Sequence, residues 1–354
     1  MAGGVGSRFW PMSTSAHPKQ FQDILGTGET LLQQTFNRFL KLCPKENIFI
    51  VTNADYKALV KEQLEGISDN NVLLEPARKN TAPCVAYASY KIAQQNPNAV
   101  TVVAPSDHLI TKEDAFNEAI TSCYQKAGAE NCLVTLGLTP TRPDTGYGYI
   151  QFEDAAAKQA DDQMKQVKTF TEKPDAIKAQ QFLDSGDFLW NSGIFVWSVQ
   201  SVLKAFEQYS PALNTLFAAG KEKYNTDKEA EFIADTYAKC ESISIDYAIM
   251  ENADNVYVRA SSIGWSDLGT WGSLYEHISH DNNKNAVVGK NVMLYNSENC
   301  IVNVPNDKLV VLQGLDDYIV VESDNTLLVC KKKDEQQIKT FVSDIEQQKG
   351  KGFV

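Results

Sequence analysis

Three glycines, an arginine and a lysine stand close together in the opening segment MAGGVGSRFWPMSTSAHPKQF. Gly3, Gly4 and Gly6 permit positive-φ turns and leave backbone N–H groups uncovered, so that several of them can converge on an anion. Arg8 and Lys19 add positive charge nearby. Because the chain carries a net charge of -12, this local pair of cations is a suitable place for a small polyanion to bind. The segment predicts a phosphate-binding loop.

A mobile, glycine-rich N-terminus is the alternative interpretation of the same composition. Trp10, Pro11, Pro18 and Phe21 argue against it, because flexible linkers lack such stiff or bulky side chains. The loop also leads into LLQQTFNRFL, whose apolar residues recur at helical spacing. Neither G-x-G-x-x-G nor G-x-x-x-x-G-K-[ST] is present, so the glycine spacing alone does not identify the ligand.

Composition excludes several classes of protein. The chain has 354 residues, 43% hydrophobic and 22% charged, which is typical of a globular protein with a large domain and a smaller one. The acidic balance argues against a nucleic-acid partner. No apolar run approaches the about 18 residues of a membrane helix and no signal segment is evident, so we expect no membrane association and a cytoplasmic location. Seven isolated cysteines are expected to be packing thiols.

Strand-like and helix-like segments alternate through the first half of the chain. The runs NIFIVTN, NVLLEP, AVTVVAPSD and NCLVTLGL are separated by segments with helical periodicity. We therefore predict an α/β fold, Rossmann-like, with a mostly parallel sheet flanked by helices. Ligands of such sheets bind beyond the carboxyl ends of the strands, so polar residues at those ends are candidates for chemistry.

The loop LLEPARKNTAP follows one predicted strand and carries Glu75, Asn80 and Thr81. These side chains offer donors and acceptors that could read the edge of a nucleotide base. Asn80 and Thr81 could equally cap the helix that follows, and both roles can coexist.

Two aspartates are candidates for a magnesium site, since Mg²⁺ prefers one or two carboxylates together with phosphate oxygens. Asp107 directly follows a predicted buried strand in VVAPSDHLI, where it could also be a simple turn residue. Asp267 lies in the segment GWSDLGTWG, where it could instead cap a helix that begins at Thr270.

Four residues in the middle of the chain have less definite roles from sequence. Gly146 lies in RPDTGYGYIQF, and Glu172 adjoins Lys173 in VKTFTEKPD, a type of pair that is usually solvated surface charge. Asn191 interrupts the apolar run FLWNSGIFVWS. A buried amide needs a partner, which could be backbone or a ligand.

The last part of the chain changes character after Asp281. Short β-rich runs at close intervals predict a small unit of stacked strands. We therefore place the domain boundary here, with domains at residues 1–281 and 282–354. The KKKDEQQ run and the final helix are interpreted as a solvated end.

The opening segment, with its W-P and P-K-Q-F elements, resembles the signature of sugar-1-phosphate nucleotidylyltransferases, in particular their mannose-1-phosphate guanylyltransferase branch. The segments EPARKNTAP, PSDH, TGYGYI, FTEKP, WNSGIF and WSDLGTW are similar to further motifs of that family. The resemblance extends from residue 2 to about residue 340. In the family the loop follows the first, central strand, and we expect that strand to be missing from the given sequence.

The resemblance implies Mg²⁺-dependent transfer of GMP from GTP to mannose 1-phosphate, by in-line attack without a covalent intermediate, to give GDP-mannose and pyrophosphate. It implies an irregular β-helix-like C-terminal domain that forms a homodimer. The implied catalytic residues are Arg8, Lys19, Asp107 and Asp267, of which the two aspartates also hold the metal. The implied nucleotide-binding residues are Gly3, Gly4, Gly6, Ser7, Glu75, Asn80 and Thr81. The implied sugar-phosphate residues are Gly146, Glu172, Lys173 and Asn191.

Two alternatives stay open at this point. One is a different sugar or base within the same chemistry, since hexose 1-phosphates differ by the configuration of one hydroxyl group. The other is a catalytically silent nucleotide-sugar-binding regulatory subunit, against which the combination of Arg8, Lys19, Asp107 and Asp267 argues.

Overall fold

The structure is a computed structural model that describes residues 1–153 and 164–354. Its α-helices are α1 (Leu31–Leu40), α2 (Lys57–Gln63), α3 (Thr81–Gln95), α4 (Glu113–Ala129), α5 (Ala176–Ser185), α6 (Val199–Tyr209), α7 (Pro211–Ala218), α8 (Glu229–Lys239), α9 (Trp271–Tyr275) and α10 (Ile338–Lys349). The strands of the first part are β1 (Ile50–Asn53), β2 (Val72–Glu75), β3 (Val100–Val103), β4 (Leu109–Ile110), β5 (Leu133–Leu138), β6 (Gly148–Phe152), β7 (Met164–Glu172), β8 (Phe188–Ser198), β9 (Val256–Ser261) and β10 (Trp265–Ser266). The strands of the last part are β11 (Ala286–Val288), β12 (Val292–Tyr295), β13 (Ile301–Asn303), β14 (Val310–Gln313), β15 (Tyr318–Ser323) and β16 (Thr326–Lys331).

Helix α1 forms where the sequence predicts it. The Thr30 side chain accepts from the Gln33 N–H, and the Gln33 side chain accepts from the Thr30 N–H, which together form a capping box. Leu32 and Phe36, four positions apart, face the core, so the apolar stripe of the sequence is also the buried face.

A six-stranded sheet forms the centre of the first domain, in the order β3-β8-β5-β9-β7-β6. The layered α/β class is as predicted, but the strand directions differ from the mostly parallel sheet that we expected. Within the part of the chain that the structure describes, β5–β9 is the parallel pair of this sheet and its other pairs are antiparallel. The reason is β8, which runs antiparallel to its three partner strands β3, β5 and β6. Hydrophobic periodicity identifies a buried strand but does not give its direction.

The two faces of this sheet are covered by different helices, as alternation of side chains along a strand requires. Leu133, Phe195 and Val258 pack with α3, α6 and α8 on one face. Val134 and Val196, one residue further along their strands, pack with α4 on the other. The described cysteines are free thiols and mostly buried, as expected. No described helix has both the length and the apolar character needed to cross a bilayer.

The first two residues lie between the parallel pair β1–β2 and strand β3. The Ala2 N–H donates to the Val51 carbonyl at 2.7 Å, and the Ser106 N–H donates to the Met1 carbonyl at 2.9 Å. These bonds place the phosphate-binding loop directly at the carboxyl ends of β1 and β3. The expectation of a further strand ahead of the loop stays a prediction.

The last part of the chain is a stack of short parallel strands. β11, β13 and β15 pair in parallel, β12 pairs in parallel with β14, and β16 closes the first group as an antiparallel strand. Cys300, Val302, Val304 and Val320 fill the space inside the stack. The β-helix-like C-terminal unit is therefore confirmed.

The interpretation of the final helix as a solvated end is wrong for one of its faces. Ile338 is fully buried, and Phe341 and Val342 pack into a cluster that contains Phe9 and Trp10 from the opening loop. Helix α10 thus covers the start of the chain. Its amphipathic pattern was visible in sequence, but its partner lies more than 300 residues away.

Candidate active site

The predicted phosphate-binding loop is an open turn. Gly6 has a φ of 73°, and a Cβ added there would lie 2.5 Å from the Lys19 Cβ, so conformation and packing both require glycine. No acceptor among the described residues takes the N–H of Gly3, Gly4 or Gly6. A Cβ at Gly4 would meet no atom within 4 Å. The loop, which continues into a 3-10 turn at Ser7, therefore keeps several donors available to an anion.

Lys19 links this loop to both candidate metal ligands. Its side chain is only 3% exposed, and its Nζ lies 3.1 Å from Asp107 Oδ2. The same Nζ donates to the backbone carbonyl of Asp267 at 2.6 Å. Burial raises the pKa of Asp107, but the charges of Lys19 and His108 and the hydrogen bonds to the carboxylate together outweigh burial, so the pKa lies below its ordinary value. Asp107 is therefore held as a carboxylate.

Pairing of two short strands explains why the aspartates meet. β4 and β10 are antiparallel, with Leu109 opposite Ser266. Asp107 lies two residues before this pair and Asp267 one residue after it, so both emerge at the same end of the ribbon. The alternative of Asp267 as a helix cap is excluded, because the Thr270 side chain caps α9 by accepting from the Ser273 N–H.

The residues at this position fit a magnesium ion. Asp267 Oδ1 accepts from the Tyr147 hydroxyl at 2.9 Å and from the Gly269 N–H at 3.0 Å. Its Oδ2 accepts no hydrogen bond from the described residues. Two carboxylates with free oxygen, beside a loop that can hold phosphate, form the donor set that Mg²⁺ uses in nucleotide sites. No group of three or more acidic, His or Cys ligands occurs among the described residues, so substrate and water would complete the coordination.

Arg8 is near the loop but not in the lysine and aspartate cluster. Its Nε is buried without a partner, and no described residue forms an ion pair with it. Leaving a buried guanidinium nitrogen without a hydrogen-bond acceptor raises the free energy of the unliganded protein. Arg8 is therefore available to an anionic ligand.

Glu75 lies beneath the loop. It is 6% exposed, and its Oε1 accepts from the Tyr237 hydroxyl at 2.9 Å. Burial raises its pKa to about 7. A Cβ at Gly3 would lie 3.0 Å from the other oxygen, so Glu75 contacts the backbone of the loop.

Asn80 caps helix α3, which is the alternative to base binding that the sequence left open, and Thr81 also has a structural contact. The Asn80 side chain caps α3 by accepting from the Thr81 N–H at 2.9 Å, from a backbone with φ of 66°. The Thr81 hydroxyl accepts from the Ile245 N–H. Their predicted contact with a base stays a prediction.

The sugar-phosphate candidates form a second group. Glu172 Oε1 lies 2.7 Å from Lys173 Nζ, but its Oε2 is buried with no partner. Glu172, with a side chain 9% exposed, is therefore not a solvated surface charge, whereas Lys173 is 59% exposed. An orphaned carboxylate oxygen needs a donor, and a sugar hydroxyl can supply one. Gly146 lies further out, with its N–H bonded to the Asp144 side chain.

Asn191 has a fixed orientation. Its Oδ1 accepts from the Thr135 hydroxyl and the Gly193 N–H, and its Nδ2 donates to Asp246 Oδ1 at 2.9 Å. Burial, followed by the charge of Glu172, raises the pKa of Asp246 to about 7. One Nδ2 hydrogen of Asn191 stays free for a ligand.

Three further residues of this group were not among the predicted site residues. Asp246 begins a π-helical turn and accepts a hydrogen bond from the Asn191 side chain. Tyr147 joins the two halves of the site, since its hydroxyl donates to Asp267 and its carbonyl accepts from the Lys173 N–H. Gly148 lies against Glu172 Oε2, where a Cβ would be 2.3 Å away. The segment TGYGYI holds both glycines, and the sequence pattern does not distinguish their roles.

Comparison with known families agrees with this architecture. Residues 1–284 match the model of the nucleotidyl transferase family. Residues 289–345 match that of the MannoseP isomerase/GMP-like beta-helix domain. The chain belongs to the nucleotidyl transferase family.

Relatives of this chain indicate a more specific activity within the family. A putative mannose-1-phosphate guanylyltransferase of Vibrio cholerae is 35% identical over 98% of this chain and 73% of its own length. A mannose-1-phosphate guanylyltransferase of Klebsiella pneumoniae has the same identity and coverage. The alginate biosynthesis protein AlgA of Pseudomonas aeruginosa is 34% identical over 98% of this chain and 72% of its own length. The protein is accordingly an enzyme of sugar-1-phosphate nucleotidyl transfer, and its substrates are a sugar phosphate and a nucleoside triphosphate.

Solved structures extend the similarity to the whole chain. A Thermus thermophilus protein described as mannose-1-phosphate geranyltransferase has a TM-score of 0.86 and 29% identity, and the match covers 98% of both chains. A Helicobacter pylori mannose-6-phosphate isomerase has a TM-score of 0.60 and 28% identity, and the match covers 71% of this chain and 95% of that one.

Proposed function

We propose that this enzyme transfers GMP from GTP to mannose 1-phosphate and releases pyrophosphate. The names of the relatives support the choice of sugar and base. The observation that carries the chemistry is the Lys19 ammonium, which lies within hydrogen-bond distance of both Asp107 and Asp267 at the foot of an open glycine loop. The orphaned oxygen of Glu172 supports a neighbouring sugar pocket.

The reaction needs no nucleophile from the protein. A phosphate oxygen of the sugar phosphate attacks the α-phosphorus of GTP, a new P–O bond forms, and the bond to the β-phosphate oxygen breaks. Both reactants are anions, so the enzyme must hold them in line and neutralise their repulsion. Mg²⁺ held by Asp107 and Asp267 would supply Lewis-acid charge to the phosphates when bound.

Different residues of the chain bind the reactants and neutralise their charge. The N–H groups of Gly3, Gly4 and Gly6, with Ser7, receive the nucleotide phosphates. Lys19 orients Asp107 and, with Arg8, opposes the charge that develops on pyrophosphate.

On the side of the sugar phosphate, Lys173 binds the phosphate group. Glu172 accepts hydrogen bonds from the sugar hydroxyls, and Asn191 donates to them. Tyr147 couples the two subsites, because it contacts the backbone beside the sugar and the carboxylate beside the phosphates. Glu75, Asn80 and Thr81 line the side of the loop assigned to the base, and Gly146 borders the sugar.

A pyrophosphate-release assay tests this proposal. GTP, ATP, UTP, CTP and dTTP are each combined with mannose 1-phosphate and glucose 1-phosphate in the presence of MgCl₂. We expect the highest kcat/KM for GTP with mannose 1-phosphate. A clear preference for another pair would show that the sugar or the base has been assigned wrongly. Absence of pyrophosphate release with every pair would refute the proposed activity.

Gly148→Ala is expected to damage the sugar subsite selectively. The new Cβ would lie 2.3 Å from Glu172 Oε2, so the carboxylate must move away from the hydroxyl that it holds. A displacement of this size near reacting groups lowers kcat/KM for the sugar phosphate by about 10²-fold, as steady-state kinetics will show.

Gly128→Ala in α4 is the matched control for this substitution, because a Cβ there meets its nearest atom at an ordinary 3.6 Å. The control should retain wild-type kinetics. A Gly148→Ala enzyme whose KM and kcat stay within about twofold of wild type would remove Glu172 from the sugar site.

The proposed homodimer would form through the C-terminal domain. Exposed apolar side chains stand at alternate positions along its strands. Those of the β12–β14 sheet form one face, with Met293 opposite Val311, and those of β16 belong to the other sheet. They are Met293, Tyr295, Leu309, Val311, Leu327 and Val329. Such a face, on the smaller domain and beside parallel strands, favours association with a second copy.

Val311→Lys is expected to convert the dimer to a monomer, since a charge on a paired apolar face cannot be buried without cost. Light scattering coupled to size exclusion will give the mass. Ile177→Lys, at a residue 73% exposed on the first domain, should leave the mass unchanged. A wild-type protein that is already monomeric at micromolar concentration would contradict this assignment.

A further inference from the structure

Helix α10 packs against the Ser7–Phe9 turn of the phosphate-binding loop, and three cations belong to this region: Arg8, Lys173 and Lys339. The charge of Arg8, followed by burial and the charge of Lys173, lowers the pKa of Lys339 below its ordinary value. Lys173 has a partner in Glu172. Among the described residues, neither Arg8 nor Lys339 forms an ion pair.

Helix periodicity places Lys339 at the edge of the buried face of α10. Ile338 is fully buried, and Val342 packs in the same cluster as Phe9 of the loop. Lys339 precedes Val342 by three positions, and residues at this spacing are neighbours on a helix surface. The Lys339 side chain is therefore beside the turn that carries Arg8.

Two hydrogen bonds hold the C-terminal segment in this position. The Trp10 indole N–H donates to the Phe353 carbonyl at 2.6 Å. At the other end, the Gly272 N–H donates to Glu335 Oε2 at 2.7 Å, next to the segment that carries Asp267. The helix is thus fixed to both sides of the site.

Like charges without counter-ions repel one another, and an anion that binds between them relieves that repulsion. The buried, unpartnered Nε of Arg8 indicates independently that this position receives an acceptor from outside the chain. The two observations point to one anionic group between the loop and α10.

We propose that Lys339 binds the phosphate chain of the nucleoside triphosphate together with Arg8, so that the C-terminal domain completes the active site. The inference rests on the proposed function and adds a residue to it. Arg8 belongs to the glycine loop, whereas Lys173 adjoins the sugar pocket. Because α10 packs against the turn that carries Arg8, the ligand is the part of the nucleotide that leaves as pyrophosphate.

Calorimetric titration with inorganic pyrophosphate in MgCl₂ tests the proposal without turnover. Lys339→Ala is expected to weaken pyrophosphate binding about tenfold, which is typical of losing one charged contact. Lys339→Arg, which keeps the charge, should bind nearly as wild type. Lys349→Ala, at the far end of the same helix, is the matched control and should bind as wild type. Mannose 1-phosphate binding should change much less in all three.

Each outcome separates this inference from the proposed function. If Arg8→Ala weakens pyrophosphate binding and Lys339→Ala does not, the role of Lys339 is overturned and the proposed activity stands. If Lys339→Ala weakens mannose 1-phosphate as much as pyrophosphate, the assignment to the nucleotide is overturned. Lys339 is exposed, so an unchanged melting temperature will show that the variant is folded. A failure of the wild-type enzyme to release pyrophosphate would refute the activity instead.

Discussion

Lys19→Met is expected to lower the rate of nucleotidyl transfer by at least about 10²-fold, with the fold intact. Two effects add. The ammonium that opposes charge on the leaving pyrophosphate is lost, and Asp107 loses the ion pair that keeps its pKa low. Methionine retains the aliphatic stem that packs against Gly6, so most of the local contact area survives.

The measurement is single-turnover pyrophosphate release, with circular dichroism to confirm folding. Lys41→Met is the control, because Lys41 also pairs with a carboxylate, Glu113, but its side chain is 56% exposed. Exposed pairs contribute little, so this variant should be as active as wild type. A loss smaller than about threefold for Lys19→Met would remove Lys19 from the mechanism.

Asp267→Asn is expected to abolish Mg²⁺-stimulated turnover, with a loss of about 10²-fold or more. The substitution is a clean test, because Lys19 contacts the backbone carbonyl of residue 267 and not its carboxylate. The amide oxygen can still accept from Tyr147 and Gly269. Only the negative charge offered to a metal is removed.

Asp107→Asn is expected to lose at least as much, because it removes a proposed metal ligand and the Lys19 ion pair together. Rates will be measured against MgCl₂ concentration, and Mn²⁺ binding by electron paramagnetic resonance will report the metal independently of turnover. Asp235→Asn, on the exposed side of α8, is the control. Ordinary Mg²⁺ stimulation in both variants would refute the metal assignment.

Local sequence was sufficient for the elements that depend on nearby residues. The capping box and apolar stripe of α1 lie within the helix and its immediate flank, and the stacked strands after residue 285 follow from short apolar runs. The opening loop could also be predicted from the sequence, because Gly6 and Lys19 are only thirteen positions apart and contact each other directly.

Contacts between segments that are distant in the chain could not be predicted from local sequence. The direction of β8 depends on its neighbours β3 and β5, and the place of α10 depends on an apolar partner in the opening loop. The contact of Asp246 with Asn191, 55 residues earlier, likewise depends on the tertiary structure.

The sequence by itself determined the residue types at the site: glycines for an open anion loop, cations in an acidic chain, and carboxylates at strand ends. Tertiary structure alone decided which of them meet. Lys19 joins Asp107 to residue 267 because the short β4–β10 pair brings together segments some 160 positions apart, and α10 packs against the opening loop across almost the full chain. The physical reason is that burial of apolar surface fixes long-range neighbours, and this energy depends on the whole fold rather than on any local pattern.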